Sequence, residues 1–122
     1  MKNGKKIASV YKCSNPMESG VGLLQTPELK KENGYHTGII MPIPCIRQKF
    51  SGFINSIHMI GMKYPISVFW TDDAGVVVTK YYAVPGFRVY SPTKPSVNII
   101  ELDSEAINTI NVGDRLIFEE EK

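Results

Sequence analysis

Ile57-His58-Met59-Ile60-Gly61-Met62-Lys63-Tyr64-Pro65-Ile66-Ser67-Val68-Phe69-Trp70-Thr71-Asp72-Asp73-Ala74-Gly75-Val76-Val77-Val78 decides the fold of this chain. In a strand from Tyr64 to Trp70, Ile66, Val68 and Trp70 project to one face, and Ser67 and Phe69 to the other. Four of these five side chains are apolar, so the strand reads as buried. Asp72-Asp73-Ala74-Gly75 then fits a hairpin loop, with aspartates that favour turns and a glycine free to take positive φ. Val76 to Tyr82 returns antiparallel, and Tyr81-Tyr82 must place one ring on each side of it.

Toward the N-terminus, Lys6 to Lys12 reads as a first strand. Asn15-Pro16-Met17-Glu18 has the cap, proline and acidic residue of a helix start, and Asn33-Gly34 marks a turn. Thr37 to Ile43 is a strand that runs into Pro42 and Pro44, hence an edge or a strand end. Phe50 to Ile57 alternates imperfectly. On the C-terminal side, Phe87 to Ser96 holds Pro92 and Pro95 and reads as a loop or broken strand. Val97 to Leu102 is a strand, Asp103-Ser104-Glu105-Ala106-Ile107 caps and starts a short helix, and Gly113-Asp114 turns into a last strand, Arg115 to Phe118. Many short strands and little helix predict one mainly-β domain over residues 1–122: a small antiparallel barrel of about seven strands, closed or partly closed, which would hide the sheet edges. Closure by pairing of the first and last strands would bring Lys5 and Lys6 near Glu119 and Glu120.

The composition bounds what such a domain can do. The chain has 122 residues, 43% hydrophobic and 21% charged, which suits a globular core rather than a disordered chain. The net charge is only +2, and the basic residues Lys30, Lys31, Arg47, Lys49, Lys63, Lys80, Arg88, Lys94 and Arg115 fall in different segments, while only Lys2, Lys5 and Lys6 cluster. That scatter argues against a nucleic-acid groove. Two cysteines, Cys13 and Cys45, make no disulfide framework. The basic N-terminus lacks a following apolar run, and no apolar stretch is long enough to span a bilayer, so the chain reads as a soluble, cytoplasmic protein. Cys13, His36, Cys45 and His58 are potential zinc ligands, but none is paired at the spacing of a structural site. Cys45 as a nucleophile with His36 or His58 has only Arg47 and Lys49 to lower its pKa. The chain has no phosphate loop, nucleophile elbow or dinucleotide fingerprint, and nothing in it requires a cofactor.

The 57–78 stretch resembles the domain of unknown function 192 family, whose members look like I-H-x-x-x-M-x-x-P-I-D-V-x-F-L-D-x-x-G-x-V-V. Ile57, His58, Met62, Pro65, Ile66, Val68, Phe69, Asp72, Gly75, Val77 and Val78 fit that pattern. Gly22-Leu23-Leu24 is similar to the family's G-L-M element, Val97 to Leu102 to its V-L-E-L strand with Glu101 at the glutamate, and Val112-Gly113-Asp114-Arg115-Leu116 to its closing V-G-D-R-V. Two positions depart: Ser67 stands at the family's aspartate, and Leu102-Asp103-Ser104-Glu105 replaces its L-P-A-G turn. The resemblance implies a compact, mainly-β fold and assigns no reaction.

His58 is the residue that most invites a chemical role, as base, proton switch or ligand. The plainer reading is a strand-end histidine whose nitrogens bond nearby backbone. A base needs an orienting partner, and Ser67, Glu101, Asp72 and Asp114 are candidates. If the entrance to the central hairpin meets the proline-rich 85–95 segment, His58, Met62, Tyr64, Arg88, Tyr90 and Glu101 converge on a ligand-binding site. The leading reading is a non-enzymatic module that binds a small ligand or a protein. One alternative is a hydrolase with His58 as general base and Glu101 orienting it. Another is a homodimer formed through an exposed edge near 37–44.

Overall fold

The computed structural model describes residues 8–12, 31, 34–43, 45–48 and 55–117. Seven strands run in chain order: β1 (Ala8–Lys12), β2 (His36–Pro42), β3 (Ile57–His58), β4 (Ile66–Thr71), β5 (Val77–Ala83), β6 (Val89–Tyr90) and β7 (Asn98–Leu102). Short 3-10 turns occupy Cys45–Arg47 and Ser104–Asn108. The domain is mainly β, as its strand pattern predicts.

The Tyr64–Tyr82 reading holds. β4 and β5 pair antiparallel from Ile66↔Ala83 to Thr71↔Val77, with a register shift between Trp70 and Thr71. The loop closes as its residues dictate: the Asp72 carboxylate accepts from the amides of Ala74 and Val76 at 2.9 and 3.0 Å, and Gly75 takes φ +82°.

β7 packs against the other side of β4 and joins it to β2, giving a sheet in the order β1-β2-β7-β4-β5. β3 and β6 form a separate two-stranded arm. Three expectations need correction. Among the described residues the sheet is open rather than barrel-closed, with β1 and β5 at its ends. β1 runs parallel to β2, so the sheet is not wholly antiparallel, and the backbone around Arg115 bridges to Val76 beside β5. The first and last segments therefore border opposite edges; Lys5, Lys6, Glu119 and Glu120 lie outside the described residues, as does the expected helix start at 15–18. Finally, of the two readings of the 37–43 strand the strand end is the one found, and β1 and β7 flank β2, which leaves no exposed edge of it for a homodimer. Pro42 is tolerated because it ends the strand, and hydrogen bonding resumes with the Ile43 amide donating to the Val97 carbonyl at 2.7 Å.

Alternation on β4 divides the core in two. Ile66, Val68 and Trp70 pack with Ile43, Met59, Tyr64, Ala83, Tyr90 and Ile99 on the face covered by the arm. Phe69 packs with Val77, Ile100, Leu102, Ala106, Ile110 and Leu116 on the face covered by the 104–108 turn. Removing each such large side chain from water contributes about 1.5–3 kcal/mol. The Trp70 indole donates to the Asn55 carbonyl at 3.0 Å, so its polar edge is satisfied. As the tyrosine pair requires, Tyr81 packs on the first face and Tyr82 is exposed.

Candidate functional site

The two segments expected to meet do meet. Ile57 pairs with Tyr90 and His58 with Val89, the Gly86 amide donates to the Met59 carbonyl at 3.3 Å, and the Val84 amide donates to the Tyr90 hydroxyl at 3.0 Å. Aromatic contacts root the arm in the core: Tyr81 lies edge-on to Trp70 at 5.7 Å and tilted against Tyr90 at 5.3 Å. The Tyr81 hydroxyl donates to the Ser91 carbonyl at 2.8 Å.

The six candidate residues occupy three environments. Tyr64 and Tyr90 are core, and Met62 is half-buried against them. His58 and Arg88 are exposed on the arm, where the Arg88 guanidinium sits 5.5 Å from the centre of the Tyr90 ring. Glu101 is buried in the middle of β7, opposite Ile39 on one side and Val68 on the other. Loss of hydration pushes its carboxyl up from 4.5 to about 7. Among the described residues no hydrogen bond joins His58 to Glu101.

What the arm presents outward is apolar and basic. Ile60, Val84, Phe87 and Val89 are 47%, 41%, 86% and 44% exposed, and Lys63 and Arg88 in the same segments, with Lys94 further along, are exposed as well. No carboxylate occurs in 57–71 or 76–100, so nothing acidic from these segments offsets the cations. Sequence patterning left Phe87 in an undifferentiated loop. The local mark beside it is Pro85-Gly86, a breaker pair that ends the strand pattern of Val76 to Tyr82.

A second constellation escaped the sequence altogether. His36 opens β2 and Asp103 follows β7, and both side chains are buried. The His36 Nδ1 lies 3.0 and 2.9 Å from the two Asp103 carboxylate oxygens, and its Nε2 lies 3.0 Å from the Thr109 hydroxyl. The Thr37 amide donates to the same carboxylate at 3.0 Å. Asp103 was expected to cap the following helix, yet its side chain makes no cap bond, because the carboxylate is taken by β2.

Other candidates resolve simply. Among the described residues no group of three His, Cys, Asp or Glu side chains is placed to hold a metal; Cys13 lies outside them, and Cys45 is an exposed thiol. Both His36 nitrogens are engaged by Asp103 and Thr109, not by Cys45. Asp72, Gly75, Asn98 and Arg115 line an open cleft of about 240 Å³, small beside the ~300 Å³ at which ligand pockets begin. No described helix is long and apolar enough to cross a membrane.

No family model matches the chain, and no curated protein matches it. Two solved structures share the fold. A protein of unknown function from Novosphingobium aromaticivorans aligns with TM-score 0.68 and 14% identity, covering 88% of this chain and 73% of that one. A "putative transcription regulator" from Sinorhizobium meliloti aligns with TM-score 0.66 and 15% identity, covering 88% and 79%. At these identities the likeness establishes the architecture, a small mainly-β domain, and carries no activity across.

Proposed function

We propose that this domain is a protein-binding module whose contact surface is the β3–β6 arm, and that its partner presents a segment of mixed apolar and acidic side chains. The observation that carries this reading is Phe87, 86% exposed in the loop that leads into β6, together with exposed Ile60, Val84 and Val89. Clustered exposed apolar side chains of this kind mark interaction surfaces. Exposed Arg88 between Phe87 and Val89, and exposed Lys63 in the segment that carries Ile60, with no carboxylate in either segment, select for carboxylates on the partner. The hydrolase reading gains no support from the placement of His58 and Glu101. Kinship with the domain of unknown function 192 family belongs to the same proposal. It is supported by Ile57-His58 on β3, Pro65-Ile66 at the start of β4 and Gly75 in the loop before Val77-Val78. At its departure, the Ser67 hydroxyl donates to the Ser104 carbonyl at 3.0 Å, a contact a carboxylate would replace with repulsion.

Nitrogen-15-labelled protein titrated with synthetic peptides of alternating phenylalanine and glutamate tests the reading. Amide resonances of 57–63 and 84–89 should shift and those of 104–111 should stay. Phe87→Ala and Arg88→Glu should each weaken binding about tenfold or more at unchanged thermal midpoint. A sedimentation coefficient that rises with concentration, and ceases to rise in Phe87→Ala, would make the occupant a second copy of this chain. Peptide shifts confined to surfaces outside the arm, or none at all, would overturn the proposal.

A further inference from the structure

The geometry points to Thr109 as a base-activated hydroxyl, able to take an acyl group from a small activated ester with His36 as its general base and Asp103 as the residue that positions His36. This goes beyond the binding role and is independent of it. Alternation along β2 puts His36 with Ile40 on the face that carries the Phe69 cluster, whereas Tyr90 and Met59 of the arm pack against the opposite face.

An ionised carboxylate only accepts, so Asp103 requires a proton on His36 Nδ1. In the neutral ring that leaves Nε2 as an acceptor, and the group 3.0 Å from it is the Thr109 hydroxyl. With the ring neutral, the hydroxyl donates to a base whose tautomer is fixed from behind, the arrangement that raises nucleophilicity in hydroxyl-based acyl transfer. The back of the site is rigid. Asp103 also accepts from the Thr37 amide, its own amide donates to the Thr37 carbonyl at 2.9 Å, and both His36 and Asp103 are almost wholly removed from solvent. Thr109 is half-buried and Asn108 beside it is exposed, so the hydroxyl end of the triad lies nearer the surface than its base.

The step balances without any further reactant. Thr109 Oγ1 forms a bond to the ester carbonyl carbon as its proton passes to His36 Nε2. The carbon–oxygen bond to the leaving group then breaks, and that alkoxide or phenolate leaves with the proton from Nε2. Water reverses the sequence to release the carboxylic acid and restore the hydroxyl.

p-Nitrophenyl acetate is the probe. Peptide-mapping mass spectrometry of the treated protein should locate an acetyl group on Thr109. Thr109→Val keeps the shape and removes the hydroxyl; it should lose that adduct with a thermal midpoint near wild type. Thr109→Ser should retain the adduct, and His36→Asn should reduce its rate at least tenfold. Acetylation restricted to surface lysines, or p-nitrophenol release by Thr109→Val equal to wild type, would overturn the inference. Either result leaves the peptide-binding test of the arm unaffected.

Discussion

Two glycines show how closely single residues are specified. Gly38 lies opposite Leu102, and a Cβ at this position would collide with the Glu101 carbonyl. Gly75 combines φ +82° with the same problem against the Leu116 carbonyl. Backbone cannot yield as a side-chain end can, so Gly38→Ala should destabilise the fold by about 2–3 kcal/mol or more, measured by urea unfolding. Glu101 sets a pH dependence. Below pH 4.5 its carboxyl is protonated in both folded and unfolded chains. Between there and about 7 the folded protein keeps a proton that the unfolded chain has released, so stability falls as pH rises through that window. Above it both states are ionised and the loss is complete, on the order of 3 kcal/mol. Glu101→Gln should flatten the decline and be the more stable protein at pH 8, as read by unfolding at pH 5 and pH 8. Sequence reading picked out Glu101 for its match to a family glutamate. Its burial was less legible, because a lone acid in Asn98–Leu102 reads as solvent-facing until strands on both sides of β7 are known.

At the scale of elements, the hairpin was legible because its information is local: alternation, an aspartate-led turn and a glycine at positive φ all lie within 66–83. What sequence could not reach depends on partners far along the chain. His36 and Asp103 are 67 positions apart, and no periodicity links them. β1 offered only strand propensity, which does not distinguish a parallel from an antiparallel neighbour. The 104–111 segment adds another long-range device. The Lys80 ammonium donates to the carbonyls of Ile107 and Ile110 and to the Asn111 side chain at 2.9, 3.1 and 3.1 Å, holding the end of the 3-10 turn against β5. Lys80→Met keeps the stem and removes these bonds. It should cost about 1–2 kcal/mol and speed hydrogen exchange of the 106–111 amides more than those of β4.

Over the whole molecule, one sheet separates the two clusters, and every strand of that sheet except β1 and β5 is paired on both sides. The clusters share β4 and β7, so they should melt together: Trp70 fluorescence, which reports the arm-side face, and far-ultraviolet circular dichroism should give one urea midpoint. Separate midpoints would show the arm opening on its own. The mainly-β reading holds and only its closure was overstated: the seven described strands divide into five and two, and β3 and β6 pack over the Trp70 and Tyr81 side of the five-stranded sheet. The strand order also has a consequence for biosynthesis. β7 lies between β2 and β4 but is translated after the other six described strands, so a growing polypeptide carries an N-terminal pair and a hairpin that cannot be joined until residues 98–102 have left the ribosome. Until then each half exposes a bare ladder to its neighbours in the polysome, which makes the interval before β7 emerges the moment of greatest exposure to mispairing.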